Sequence, residues 1–268
     1  RIFVPRSLLL GIDSSTTACK AVVWDMHGAA LAAGRATLPL LMPRPTWHEQ
    51  PAEAWWEACV QAIRAAVADV TTSRIAALCI SPQRETFVPV DEAGAPLRPA
   101  IVWMDERAHD LLPVIAQAYG AERIHRETGK PLSGNLTLSK VAWLREHEPD
   151  VFVRTAKYMD VAAFLIYKLT GHTRTGWGCA DPTGLFDMRA NRWDVDLLTY
   201  LGVDVAQMPE VYPPGAVVGT VTPEAAALTG LPVGLPVVAG VGDGQAGGLG
   251  VGITQSGQAY LSLGTSVV

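Results

Sequence analysis

Three short apolar runs, Leu8–Asp13, Ala21–Asp25 and Ala29–Ala36, succeed one another with only small polar turns between them. Strands joined by links this short pair antiparallel, because a parallel partner needs a crossover of a dozen residues or more. The chain therefore has to open as a β-meander, and the later segments must pack on a twisted sheet. The first turn of that meander is rich in Ser and Thr. The second, Met26-His27-Gly28, is an ordinary reversal.

A proline-studded loop, Pro39 to Pro51, comes next. Pro51 opens an amphipathic helix expected to run to about Val70, with Trp55, Cys59, Ile63 and Val67 on one stripe. Ile75–Ser81 reads as a buried strand. Thr86–Val90 with the turn Asp91-Glu92-Ala93-Gly94 reads as a hairpin, and Arg98–Trp103 as a further strand. From Asp105 to about Ala190 the pattern is mainly helical, clearest over Arg107–Tyr119, Leu138–His147 and Asp160–Leu169. Near the end, Pro236–Gly240 predicts a strand entering a glycine-rich loop, then a helix, then a strand at Gln258–Leu263. Strands and helices in this order define an α/β protein.

The 268 residues are 49% hydrophobic and 18% charged, enough to bury a sizeable core. The net charge of −5, without a basic tract, argues against nucleic acid as a partner. The longest apolar runs are far too short to cross a membrane, and Arg1 to Ser7 show no signal-peptide core, so no membrane partner is expected. Cysteines 19, 59, 79 and 179 show neither metal-ligand nor CxxC spacing. They read as reduced thiols in a cytoplasmic protein.

Four segments carry candidate chemistry. Gly11-Ile12-Asp13-Ser14-Ser15-Thr16-Thr17-Ala18-Cys19-Lys20 places backbone N–H groups and short hydroxyls in a tight turn, a nest for phosphate oxygens. Asp13 at the strand end could hold a hydrated Mg²⁺, and Lys20 adds positive charge. Taken alone, such a turn also serves simply to close a hairpin. Gly240-Val241-Gly242-Asp243-Gly244-Gln245 sets an acid at the start of a helix beyond a strand; a plain N-cap is the other reading of Asp243. Ser262-Leu263-Gly264-Thr265-Ser266 is a second strand entering a small polar turn. In Gln83-Arg84-Glu85-Thr86, neighbouring Arg and Glu can donate to and accept from adjacent hydroxyls of a polyol, and Trp103 offers an apolar plate for the C–H face of a sugar.

In this order and spacing, these segments resemble the FGGY family of carbohydrate kinases. The words that carry the resemblance are Gly-Ile-Asp-Ser-Ser-Thr-Thr, Trp-His-Glu-Gln-Pro, Arg-Pro-Ala-Ile-Val-Trp-Met-Asp-Glu-Arg, Gly-Asp-Gly-Gln-Ala-Gly and Leu-Ser-Leu-Gly-Thr-Ser. The resemblance implies an actin-like ATPase, ribonuclease-H-like fold of two lobes, with residues 1–256 as the N-terminal, sugar-binding lobe and 257–268 as the start of a C-terminal ATP-binding lobe. It implies ATP and Mg²⁺ as cofactors and a small sugar or polyol as substrate, and leaves a homodimer open. Residue by residue, Asp13, Ser14, Thr16, Thr17 and Lys20 fall on the first phosphate motif, with Asp13 near the metal. Gly264 and Thr265 fall on the second. Asp243 falls on the catalytic base, and Arg84, Glu85 and Trp103, with Asp243, on the acceptor contacts.

The acceptor words point in two directions. Gln83-Arg84-Glu85-Thr86 resembles glycerol kinases, whereas Trp103-Met104-Asp105-Glu106-Arg107 is more similar to xylulose kinases. Ser15 stands where many members carry glycine. Gly244 replaces an amide side chain that often comes after the base, and Asn135 lies near the position of an aromatic acceptor contact in glycerol kinases. The expected acceptor is D-xylulose or a related ketose, then another polyol or a sugar acid such as gluconate, then glycerol. A non-catalytic sugar or nucleotide sensor on the same fold is the competing class; the intact Asp13, Asp243 and Thr265 argue against it. An actin-like filament protein would not need Arg84, Glu85 and Trp103 together.

Overall fold

The computed structural model describes residues 6–261. The meander forms as β1 (Leu8–Ser14), β2 (Ala18–Asp25) and β3 (Ala30–Thr37), antiparallel throughout, with Asp13 facing Lys20 across the first turn. After the two-residue β4 (Glu49–Gln50), the chain enters α1 (Ala52–Val67), whose buried stripe includes the expected Trp55, Cys59, Ile63 and Val67. Next, β5 (Ile75–Pro82) lies parallel to β1 on the edge away from β2. A right-handed βαβ crossover with its helix on the sheet is the usual way to make that pairing.

The expected hairpin forms between β6 (Phe87–Val90) and β7 (Ala100–Ile101), which is shorter than the predicted Arg98–Trp103. The helical stretch resolves into α2 (Leu112–Tyr119), α3 (Ala121–Thr128), α4 (Thr137–His147) and α5 (Pro149–Arg154). It is interrupted by β8 (Lys157–Asp160), a strand that helical periodicity hides. Paired to β6, β8 completes a four-stranded sheet ordered β4-β7-β6-β8. Asp160 is not in the next helix, as the sequence suggests, but caps it: its side chain accepts from the N–H groups of Ala162 and Ala163 at the start of α6 (Val161–Thr170).

The remaining elements are short: β9 (Arg174–Gly176), α7 (Trp177–Ala180), β10 (Phe186–Asp187), β11 (Arg192–Trp193), α8 (Val195–Leu201) and β12 (Glu210–Tyr212). Then β13 (Val217–Thr220), α9 (Pro223–Thr229) and β14 (Pro236–Val238) return the chain to the main sheet, before α10 (Asp243–Gly250). That sheet reads β13-β14-β5-β1-β2-β3, with β14, β5 and β1 parallel in the middle. One core packs α1 and α6 against it, with Trp55 and Phe164 edge to face at 5.8 Å. A second core lies among the helices, around Ile115, Leu138 and Leu198.

The strand expected at Gln258–Leu263 does not form over Gln258–Leu261, and Ser262 and Leu263 lie outside the described residues. The Gln258 side chain instead accepts from the N–H groups of Thr254 and Gln255, closing a turn, and Tyr260 rests on α10. The four cysteines are free thiols, with Cys19, Cys59 and Cys179 buried. Among the described residues no helix is long and apolar enough to cross a membrane.

Candidate active site

Three turns leave the main sheet at the carboxyl ends of its parallel strands. Ser14 faces Pro82 at the ends of β1 and β5, and the Gln83 N–H donates to the Ser14 carbonyl at 2.8 Å. The third turn, 239–242, comes after β14 beside β5. Ligands of open α/β sheets bind at this edge. Two glycines let the third turn approach the others. A Cβ on Gly240 would lie 2.0 Å from the Ile80 carbonyl oxygen, and one on Gly242 would lie 2.5 Å from Cδ of Arg84. The Arg84 stem therefore packs on the residue next to Asp243. Asp243 is the first residue of α10 rather than its cap, is exposed, and has one carboxylate oxygen fixed by the Gly244 N–H at 2.8 Å. A carboxylate suits a helix N-terminus.

Arg84 does not pair with its neighbour Glu85. Its Nη2 donates to Asp181 Oδ1 at 2.9 Å, while Lys130 Nζ donates to Asp181 Oδ2 at 3.2 Å. Asp181 is buried and spends its charge on both cations. Glu85 adopts φ +59°, the left-handed region that a non-glycine residue rarely holds without support. The support reaches its carbonyl, from Lys140 Nζ at 3.3 Å and Thr137 Oγ1 at 3.4 Å; no hydrogen bond reaches its carboxylate among the described residues. Burial pushes that carboxyl above its ordinary 4.5, against the pull of Arg84, Lys140 and Lys130. Lys140 is fully buried. Its ammonium also donates to the carbonyls of Val102 at 2.9 Å and Trp103 at 3.1 Å, and burial lowers its pKa from 10.5 to about 7.

In the first turn, Asp13 and Lys20 form a partly exposed pair at 3.1 Å. Ser14 is buried with its Oγ unpartnered, and Thr17 is exposed. Thr16 is committed elsewhere: its hydroxyl donates to Gln83 Oε1 at 3.1 Å and accepts from the Trp103 indole N–H at 3.0 Å. Its side chain thus joins the first turn to Trp103 and Gln83. Among the described residues no three His, Cys, Asp or Glu side chains converge. The half-exposed Asp13 carboxylate does fit Mg²⁺, which takes one or two carboxylates and keeps several waters. Gly264 and Thr265 lie outside the described residues.

The sequence reading missed Asp181, Lys130 and Lys140, and gave Gln83 no role within its segment. Asp181 was available as the one acid within Trp177-Gly178-Cys179-Ala180-Asp181-Pro182-Thr183-Gly184-Leu185, and Lys140 as a cation inside the apolar run Leu138–Leu144. Charged residues of two of the words that carry the family resemblance pair with one another as scaffold. Glu49 pairs with Arg98 and Arg107, and Asp105 accepts from Arg107 and from the His48 N–H. A more apolar groove of about 800 Å³ lies between α2 and α3, lined by Leu112, Pro113, His125 and Leu132. It gathers none of the residues expected to act, so the converging polar groups at the sheet edge make the better candidate.

Three antiparallel strands continued by parallel ones, with three turns at the carboxyl edge, define an α/β lobe of the actin-like ATPase class. The chain belongs to the FGGY family of carbohydrate kinases: residues 8–250 match the family's N-terminal domain. It is 31% identical over 261 residues to xylulose kinase of Escherichia coli (97% of this chain, 53% of that protein). It is 32% identical over 263 residues to glycerol kinase of Thermococcus onnurineus (96% and 52%). The crystal structure of xylulose kinase from Rhodospirillum rubrum superposes with a TM-score of 0.93 at 29% identity, covering 97% of this chain and 54% of that one. The chain thus spans about half the length of the relatives it matches.

Proposed function

We propose that the protein carrying this chain transfers the γ-phosphate of ATP to a hydroxyl of a small carbohydrate, D-xylulose or a related ketose first, another polyol or sugar acid next, glycerol last. The observation that carries this reading is the meeting of the Arg84–Glu85 turn with Gly242–Asp243 at the edge where the Ser/Thr-rich turn emerges. Asp181 pairs with Arg84 and Lys130 and offsets one of their two charges, while Glu85 and Asp243 keep carboxylates open to hydroxyl donors. A ketose suits that balance better than a sugar acid, whose carboxylate would face two others.

Phosphoryl transfer asks the protein chiefly for positioning and charge neutralisation. In this reading Glu85 accepts from one acceptor hydroxyl, Arg84 donates to another, and Trp103 packs on the C–H face. Asp243, oriented by the Gly244 N–H, accepts the proton of the attacking hydroxyl, an effect of roughly 10²–10⁴-fold. Lys20 and the N–H groups of the first turn face the phosphates, with Asp13 as the residue that would hold Mg²⁺, which supplies charge neutralisation when bound. Residues 1–256 act as the acceptor lobe, with Gly264 and Thr265 beginning the half that completes the nucleotide site. The test is ADP release over a panel of D-xylulose, other ketoses, gluconate and glycerol, with the phosphorylated product identified. Release that depends on one neutral acceptor is expected; release indifferent to every acceptor would overturn the reading.

A further inference from the structure

Four side chains close a ring that neither the phosphate turn nor the acceptor wall needs by itself. The Trp103 indole N–H donates to Thr16 Oγ1 at 3.0 Å, and the Thr16 hydroxyl donates to Gln83 Oε1 at 3.1 Å. The Trp103 backbone N–H donates to Thr86 Oγ1 at 2.9 Å, and the Thr86 hydroxyl donates to the same Gln83 oxygen at 3.2 Å. Both paths out of Trp103 therefore end on one amide oxygen. Each hydroxyl can give its single proton to Gln83 and accept one from Trp103, the Thr86 hydroxyl having the Arg84 carbonyl at 3.4 Å as a second, longer acceptor.

The amide is held in turn. Gln83 is buried, and its Nε2 donates to Gln50 Oε1 at 2.8 Å. Gln50 Nε2 donates to the Thr16 carbonyl at 2.7 Å, and the Trp55 indole N–H donates to Gln50 Oε1 at 3.0 Å. Gln83 thus touches the first turn from both sides, through the Thr16 hydroxyl directly and the Thr16 carbonyl through Gln50. A satisfied polar network in a low-dielectric interior rigidifies what it joins, and losing one member strands the others.

We infer that Gln83 is a positioning residue that locks the phosphate turn to the acceptor plate, so that a ligand held at Trp103 alters the turn at Thr16 and the reverse. This rests on the proposed function for the identity of the two ligands, but the lock itself is a property of the free protein. The ring touches both binding surfaces, so substitutions in it should disturb both substrates together, unlike those on the acceptor wall.

The experiment pairs a ligand-free readout with a kinetic one. Hydrogen exchange at the Trp103 indole N–H, identified with Trp103→Phe, is measured by NMR in wild type, Gln83→Met, Thr16→Val and Thr16→Ser. Exchange should quicken by about tenfold or more in Gln83→Met and Thr16→Val, and stay near wild type in Thr16→Ser, which keeps the hydroxyl. In the coupled assay with D-xylulose, Gln83→Met, which removes the joint of the ring, should raise the KM for acceptor and for ATP together, by about fivefold or more each. Unchanged indole exchange in both Gln83→Met and Thr16→Val would overturn the lock, as would a KM change confined to one substrate. Absence of kinase activity in wild type, with the exchange pattern as expected, would count against the proposed function and leave the lock standing.

Discussion

Glu85 is where the chemistry of single residues is most exposed to measurement. Burial raises the pKa of its carboxyl above the ordinary 4.5, and it accepts most strongly from an acceptor hydroxyl when ionised. Acceptor KM should therefore climb as the pH falls through a value above that of a free glutamate, while Glu85→Gln flattens the climb. An acid limb identical in wild type and Glu85→Gln would remove Glu85 from the acceptor site. Lys140 offers a stability test of opposite character. Its pKa is lowered from 10.5 to about 7, so the folded state binds this proton less tightly than the unfolded chain. Stability from this group is missing below about pH 7 and is gained as the pH rises from there towards 10.5. Relative to Lys140→Met, wild type should gain stability over that window; equal slopes in pH-resolved denaturant titrations would contradict the shift. The sequence singled out Glu85 because neighbouring Arg and Glu can serve a polyol's hydroxyls, although a plain ion pair is the other reading. It hid Lys140, because a lysine inside an apolar helical run looks like a solvated edge until three carbonyls are seen to meet it.

At the scale of elements, periodicity located what periodicity can. The stripe Trp55, Cys59, Ile63, Val67 reads directly as a helix face, and the helix forms with that face buried. By contrast β8 is four residues long and runs straight into α6, so its only signal is a pairing with β6 that is far away in sequence. The pairing of Arg84 with Asp181 is likewise set by tertiary placement of α7 and the turn after it, 97 residues on. Glycine positions test that placement. Gly242 leaves no room for a Cβ against Arg84, a flexible side chain that can swing aside, whereas Gly240 leaves none against the Ile80 backbone. Gly242→Ala should then fold and raise acceptor KM by moving Arg84 off its station. Gly240→Ala should cost stability, by about 1–3 kcal/mol, through strain between β14 and β5. Thermal melts separate the two, and a Gly240→Ala protein as stable as wild type would refute the close approach.

Across the whole molecule, the order β13-β14-β5-β1-β2-β3 explains why residues 13–17, 84–85 and 243 meet at all: three parallel strands deliver three turns to one edge. The α/β class and the opening meander could be read from strand and turn patterns, and the resemblance carried by five short words placed the family. The network that joins the turns could not be read, since Thr16, Gln83, Thr86 and Trp103 are ordinary residues until the fold closes them into a ring. The central claim is that the carboxylate delivered by the third turn accepts the proton of an acceptor seated on the second. It is tested most directly by comparing Asp243→Asn with wild type in the same preparation, measuring acceptor Kd by calorimetry and turnover by ADP release. Asparagine keeps the shape and the Gly244 contact but cannot take the proton. The expected result is an acceptor Kd within a few-fold of wild type and a turnover lower by roughly 10²–10⁴-fold. Near-normal turnover in Asp243→Asn would contradict the assignment.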